Sequence, residues 1–151
     1  MYLKIGYYTP MKKNGTIVKL VQDNLAKNED LNCSETILHA ANRVYQLGLS
    51  PQALKLSAGF GGGMGVQKTC GALTGGLMAM GSIFIKDRAH ESEYLKTLEK
   101  EFFEKIAEKT GSTDCSYLKE RYEDEEGSCK ELIMIVGEIL ESIIDRELAK
   151  A

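Results

Sequence analysis

The chain has no tryptophan, only two prolines and two histidines, and no C-x-x-C pair among its four cysteines. Each shortage removes a class of protein. A c-type haem needs C-x-x-C-H, and neither His39 nor His90 follows a cysteine pair, so haem finds no support and both histidines read as helix residues. The short C-x₂₋₄-C knuckle of structural zinc sites is also missing. No apolar h-region opens the N-terminus MYLKIGYYTPMKKNG, so the expected location is cytoplasmic. The charge-free run between Lys68 and Lys86 is short for a membrane span and is interrupted by glycines, Thr69, Thr74 and Ser82. It is read as a buried helix. Strand alternation is absent beyond YLKIGYY, and no internal repeat is evident.

Nucleotide and nucleic-acid binding are excluded on similar grounds. More than half of the 15 glycines crowd into FGGGMGVQKTCGALTGGLMAMG, Phe60 to Gly81. Their spacing satisfies neither G-x-G-x-x-G nor G-x-x-x-x-G-K-[ST], and the preceding SPQALKLSA reads as a short helix with Pro51 at its first position. The net charge of −3 hides an acidic second half, and the basic residues of the first half are scattered without interleaved aromatics. Neither feature suits a nucleic-acid surface.

What the chain does contain is helical periodicity. Ile17, Leu20, Val21 and Leu25 predict a helix over about 16–28; Ile37, Leu38, Ala41, Val44 and Tyr45 predict one over 32–47, ended by Gly48. Further helices are expected after Ser50, over 70–85, 90–109 and 128–148, with a shorter piece over 116–122. The 70–85 helix has no polar face to offer water and must be central. Gly71, Gly75 and Ala79 fall on one ridge, which lets a neighbouring helix pack close. The expected fold is all-α: a single-domain bundle of about five to six helices, with a glycine-rich loop preceding a buried central helix. Residues 1–15 form an irregular lead-in and 16–151 a four-cysteine helical domain.

At 151 residues the chain can bury a sufficient core without disulfides, so the cysteines need another explanation. Cys33, Cys70, Cys115 and Cys129 each follow a cap-type residue, namely Asn32, Thr69, Asp114 and Ser128. All four are therefore expected in first helical turns, where N–H groups and the macrodipole can lower a thiol pKa from ~8.5 towards ~3.5–7.5. Cys70 is the expected nucleophile, because Gly71 leaves its sulfur uncovered, and Cys33 its expected partner. Cys115 and Cys129 would form a second pair or complete a site. Gly61, Gly62, Gly63 and Gly65 are expected beside it as a cofactor-side loop.

Three chemistries remain open. The first is thiol–disulfide or electron-transfer chemistry with a redox partner protein or a small thiol or disulfide. The second is a metal site made of the four cysteines, with an iron–sulfur cluster ranked above zinc. The third is a helical interaction module whose cysteines are inert, and a homo-oligomer is compatible with all three.

The segments NCSETILHAA, GFGGGMG, CGALTGGLMAMG, DCSYL and SCKELI, in that order, resemble the C_GCAxxG_C_C family over about residues 16–148. That resemblance implies a helical bacterial or archaeal redox domain, related to the non-haem part of split-Soret cytochromes. Thiol or iron–sulfur chemistry is ascribed to its cysteines, and it implies no particular substrate.

Overall fold

A computed structural model describes residues 13–150. The fold is all-α, with eight α-helices among the described residues. They are α1 (Ile17–Gln22), α2 (Leu25–Glu29), α3 (Cys33–Tyr45), α4 (Pro51–Lys55), α5 (Gly71–Phe84), α6 (Tyr94–Thr110), α7 (Cys115–Tyr122) and α8 (Lys130–Leu148). Most of the lead-in, including YLKIGYY, lies outside the described residues.

The count exceeds the expected five to six because the short α4 and α7 are helices in their own right and because one expected helix is split. The apolar period over 16–28 is continuous, but Asn24 adopts φ +66° and splits it into α1 and α2. Asparagine is among the few side chains that tolerate this left-handed conformation. Similarly, α3 ends at Gln46 (φ +52°), with Gly48 in the following turn, and α6 starts at Tyr94 after a separate 3₁₀ turn, Ala89–Glu91.

Helix α5 is central, packed among α3, α6 and α8. Its glycines permit the approach. A Cβ on Gly75 would stand 2.6 Å from the Ser34 carbonyl oxygen of α3, and one on Gly76 would stand 2.7 Å from the Phe102 ring of α6. Ala72, Leu73, Ala79, Met80 and Ile83 are completely buried. Polar ties hold α1 and α3 to α8: Val18 N–H donates to the buried Glu141 carboxylate, and Tyr45 O–H donates to Asp145 at 2.8 Å. No helix among the described residues is long and apolar enough to cross a membrane.

Candidate functional site: four thiols around one cavity

The site begins with the start of α3. Asn32 and Glu35 form a reciprocal cap, with Glu35 N–H donating to Asn32 Oδ1 (3.0 Å) and Asn32 N–H to Glu35 Oε1 (3.2 Å). The Asn32 amide also donates to the Ala58 carbonyl, anchoring this turn to the segment entering the glycine loop. Cys33 is therefore held at the first position of a doubly capped helix.

The loop is a left-handed turn: Gly62, Gly63, Met64 and Gly65 have φ of +62°, +61°, +62° and +73°. Met64 carries a Cβ in this region at an energetic cost that the glycines avoid. The turn closes through Lys68 N–H to the Gly63 carbonyl, and the chain then enters an antiparallel bridge between Thr69 and Asp114. Cys70 N–H donates to Thr113 O (2.9 Å) and Cys115 N–H to Lys68 O (2.5 Å). Cys70 and Cys115 each follow a bridge residue, so they are diagonal neighbours on one face of it, with Cα atoms roughly 7–8 Å apart.

Space for the sulfurs comes from missing side chains. A Cβ on Gly71 would strike Cys33 Sγ and approach the Phe60 carbonyl to 2.9 Å. One on Gly63 would stand 2.6 Å from Cys115 Cβ, and one on Gly61 would strike the Asn32 amide. Gly62 lines the cavity, whereas Gly65 meets nothing within 4 Å. Gly61 and Gly63 thus make room for Asn32 and Cys115, and Gly62 and Gly65 take up positive φ in the turn.

All four cysteines line one cavity of about 700 Å³, with an apolar wall of Val21, Leu31, Leu118, Leu132 and Ile133. None is in a disulfide; Cys70 and Cys115 are buried, and Cys33 and Cys129 are half-buried. The expected capping holds in part. Asn32 caps α3 with its side chain, but Asp114 makes no side-chain cap, and the N-cap positions of α5 and α8 are Cys70 and Cys129 themselves.

Two expectations about Cys70 are corrected. The missing side chain of Gly71 makes room for the Cys33 sulfur, which packs against it, and Cys70 itself is only 4% exposed. The expected acidification is also reversed. Burial pushes the Cys70 thiol up to about 12, outweighing N–H bonds from Ala72 and Leu73, and the Cys33 and Cys115 charges add to the rise. Burial likewise raises Cys129, to about 11, and Cys115; charge on Cys33 opposes both ionisations and Lys119 eases them. Desolvation exceeds the helix-terminus effect because the sulfurs sit inside the bundle. Accordingly, in the metal-free reduced protein at about pH 7.5, Cys70 should react with iodoacetamide at least ~100-fold slower than a free thiol. Mass-spectrometric peptide counting would measure this, and a Cys70 rate equal to the model thiol would contradict the burial.

Sequence reasoning missed the Thr69–Asp114 bridge, the clearest organiser of the site. A single pair of bridging residues has no periodicity to detect.

An all-α bundle that gathers four thiols from four helix starts around one cavity defines a cysteine-centred protein. Residues 31–143 match the family model described as "Putative redox-active protein (C_GCAxxG_C_C)". The chain belongs to this family. No curated protein and no solved structure matches it.

Proposed function

We propose that the chain is a redox protein, working in a reducing compartment such as the cytoplasm, whose active pair is Cys33 and Cys70. The observation that carries this reading is the seat of Cys33 Sγ against the bare face of Gly71, next in the chain to the buried Cys70. A half-buried thiol that lines the cavity beside a buried one offers the attacking and resolving roles that disulfide exchange uses. Cys33 loses its proton and attacks a disulfide sulfur of the substrate. That S–S bond breaks, and the released thiolate takes up a proton. Cys70 then gives up its proton and attacks Cys33 Sγ in the mixed disulfide, expelling the second substrate thiol. Two cysteine thiols are oxidised to one disulfide, and one substrate disulfide is reduced to two thiols.

A second reading has its own support. Four thiols surround the cavity, and negative charge on neighbouring cysteines resists ionisation of Cys70, Cys115 and Cys129, so a cationic core would relieve the repulsion. Among the described residues no three His, Cys, Asp or Glu stand close enough together to hold one ion. A single zinc therefore does not fit this arrangement, whereas spaced thiolates around a cavity suit an iron–sulfur core held by Cys33, Cys70, Cys115 and Cys129. Such a core would supply one-electron transfer.

Anaerobic purification followed by a visible spectrum and iron and sulfide analysis separates the two. For the dithiol, the protein is colourless, and mild oxidation consumes two thiols and yields a Cys33–Cys70 peptide that the Cys33→Ser variant cannot form. Stoichiometric iron and sulfide would move the assignment to the cluster. Four thiols that resist oxidation would leave the interaction module.

A further inference from the structure

Resting on the dithiol reading, we propose that the substrate of this pair is a small disulfide, neutral or cationic, that enters the cavity, and not a disulfide on the surface of a folded protein. The first argument is steric. Cys33, which attacks, is half-buried, Cys70, which must reach the mixed disulfide, is 4% exposed, and the cavity they both line, at about 700 Å³, lies within the ~300–1,000 Å³ typical of small-molecule sites. Two contacts tie lining residues of different segments together. The segment after α7 meets α2 through Lys27 and Glu126 (3.9 Å), and Lys130 Nζ donates to Asn24 Oδ1 (2.7 Å), all four residues lining the cavity. A disulfide flanked by protein backbone on both sulfurs is too bulky to follow its S–S bond into a cavity of this size, whereas one with short flexible arms fits, and the aliphatic wall receives those arms.

The second argument is electrostatic. Four carboxylates line the cavity, Asp30, Glu123, Asp124 and Glu126, against three ammonium groups, Lys27, Lys119 and Lys130. Two of those lysines already stand within 4 Å of a lining carboxylate, Lys27 at Glu126 (3.9 Å) and Lys119 at Glu123 (3.4 Å). Asp30 and Asp124 then face Lys130 alone, so the lining carries one negative charge in excess, which favours an approaching dication over a polyanion.

The test follows thiol loss in the metal-free reduced full chain with four oxidants: cystamine (dicationic), hydroxyethyl disulfide (neutral), glutathione disulfide (anionic) and insulin (protein disulfide). Each rate is divided by that of a free model thiol with the same oxidant, and the products are mapped. The expected order is cystamine, hydroxyethyl disulfide, glutathione disulfide, insulin. Cystamine should exceed glutathione disulfide by about tenfold at low salt, with the gap shrinking at high ionic strength and in Glu123→Gln/Glu126→Gln. Insulin reacting as fast as cystamine, or glutathione disulfide reacting fastest, would overturn the substrate assignment while leaving the Cys33–Cys70 pair intact. Failure of every oxidant to link Cys33 to Cys70 would instead remove the dithiol itself, and the substrate assignment with it.

Discussion

Replacing Gly75 with leucine should lower the thermal midpoint by roughly 10 °C or prevent folding. A Cβ there would lie 2.6 Å from the Ser34 carbonyl oxygen and 3.2 Å from Ile37 Cβ, so even the first carbon meets backbone that cannot swing aside. Overpacking costs ~1–3 kcal/mol and occasionally more, and α3 and α5 share the largest helix contact of the fold, so the upper end applies. For a chain of this size each kcal/mol moves the midpoint by about 2–4 °C. Gly81→Ala is the matched control: it lies in the same helix, meets nothing within 4 Å and has no positive φ, so it should stabilise by ~0.5–1 kcal/mol. Differential scanning calorimetry of both variants decides. An unchanged midpoint for Gly75→Leu would show that α3 and α5 are not in contact in solution.

Alkaline pH should weaken the metal-free reduced protein in a way that depends on Cys70. Its folded pKa of about 12 lies above the unfolded value of ~8.5, so between these limits the folded chain holds a proton that the unfolded chain has released. The contribution is complete below ~8.5 and is lost as pH rises towards 12, at up to ~1.4 kcal/mol per pH unit. From about pH 7.5 to 10 the Cys70 share is roughly 2 kcal/mol, and Cys129 and Cys115 shift in the same direction. Urea denaturation at both pH values measures the fall. Cys70→Ala should be less stable than the parent at neutral pH yet lose about 2 kcal/mol less over this interval, since its unfolded state gains no extra negative charge. An equal fall in both proteins would mean that Cys70 is solvated.

Helix content was legible because apolar periods are local: Ile37, Leu38, Ala41 and Val44 describe the buried face of α3 directly. The Gly71–Gly75 ridge was legible too, since glycine inside an otherwise apolar helix calls for a close neighbour. Its neighbour was not. Nothing in the sequence says that Gly71 faces Cys33 and not open space, because that depends on how α3 and α5 cross. That the cysteines lie at helix starts could be read from the sequence, although only Asn32 caps as expected, but their ionisation could not. Capping is a property of three or four consecutive residues, whereas desolvation of Cys70 depends on segments as distant as Thr113 and Cys115. The break at Asn24 was hidden for the opposite reason, as an apolar period runs straight through it.

The convergence of four helix starts on one cavity also dictates the routing of the chain. A helix that begins at the cavity carries the chain away from it, at roughly 1.5 Å per residue, so α5 ends ~20 Å distant. Before the next cysteine can arrive, the chain must travel back. The stretch through α4 and the left-handed turn is the return from α3 to Cys70. Helix α6, with 17 residues and one polar flank, is the return from α5 to Cys115. The acidic segment after Tyr122 is the return from the short α7 to Cys129. Every second leg of the fold is thus a homeward leg that contributes no sulfur, and the spacing of 37, 45 and 14 residues between successive cysteines records the length of each round trip.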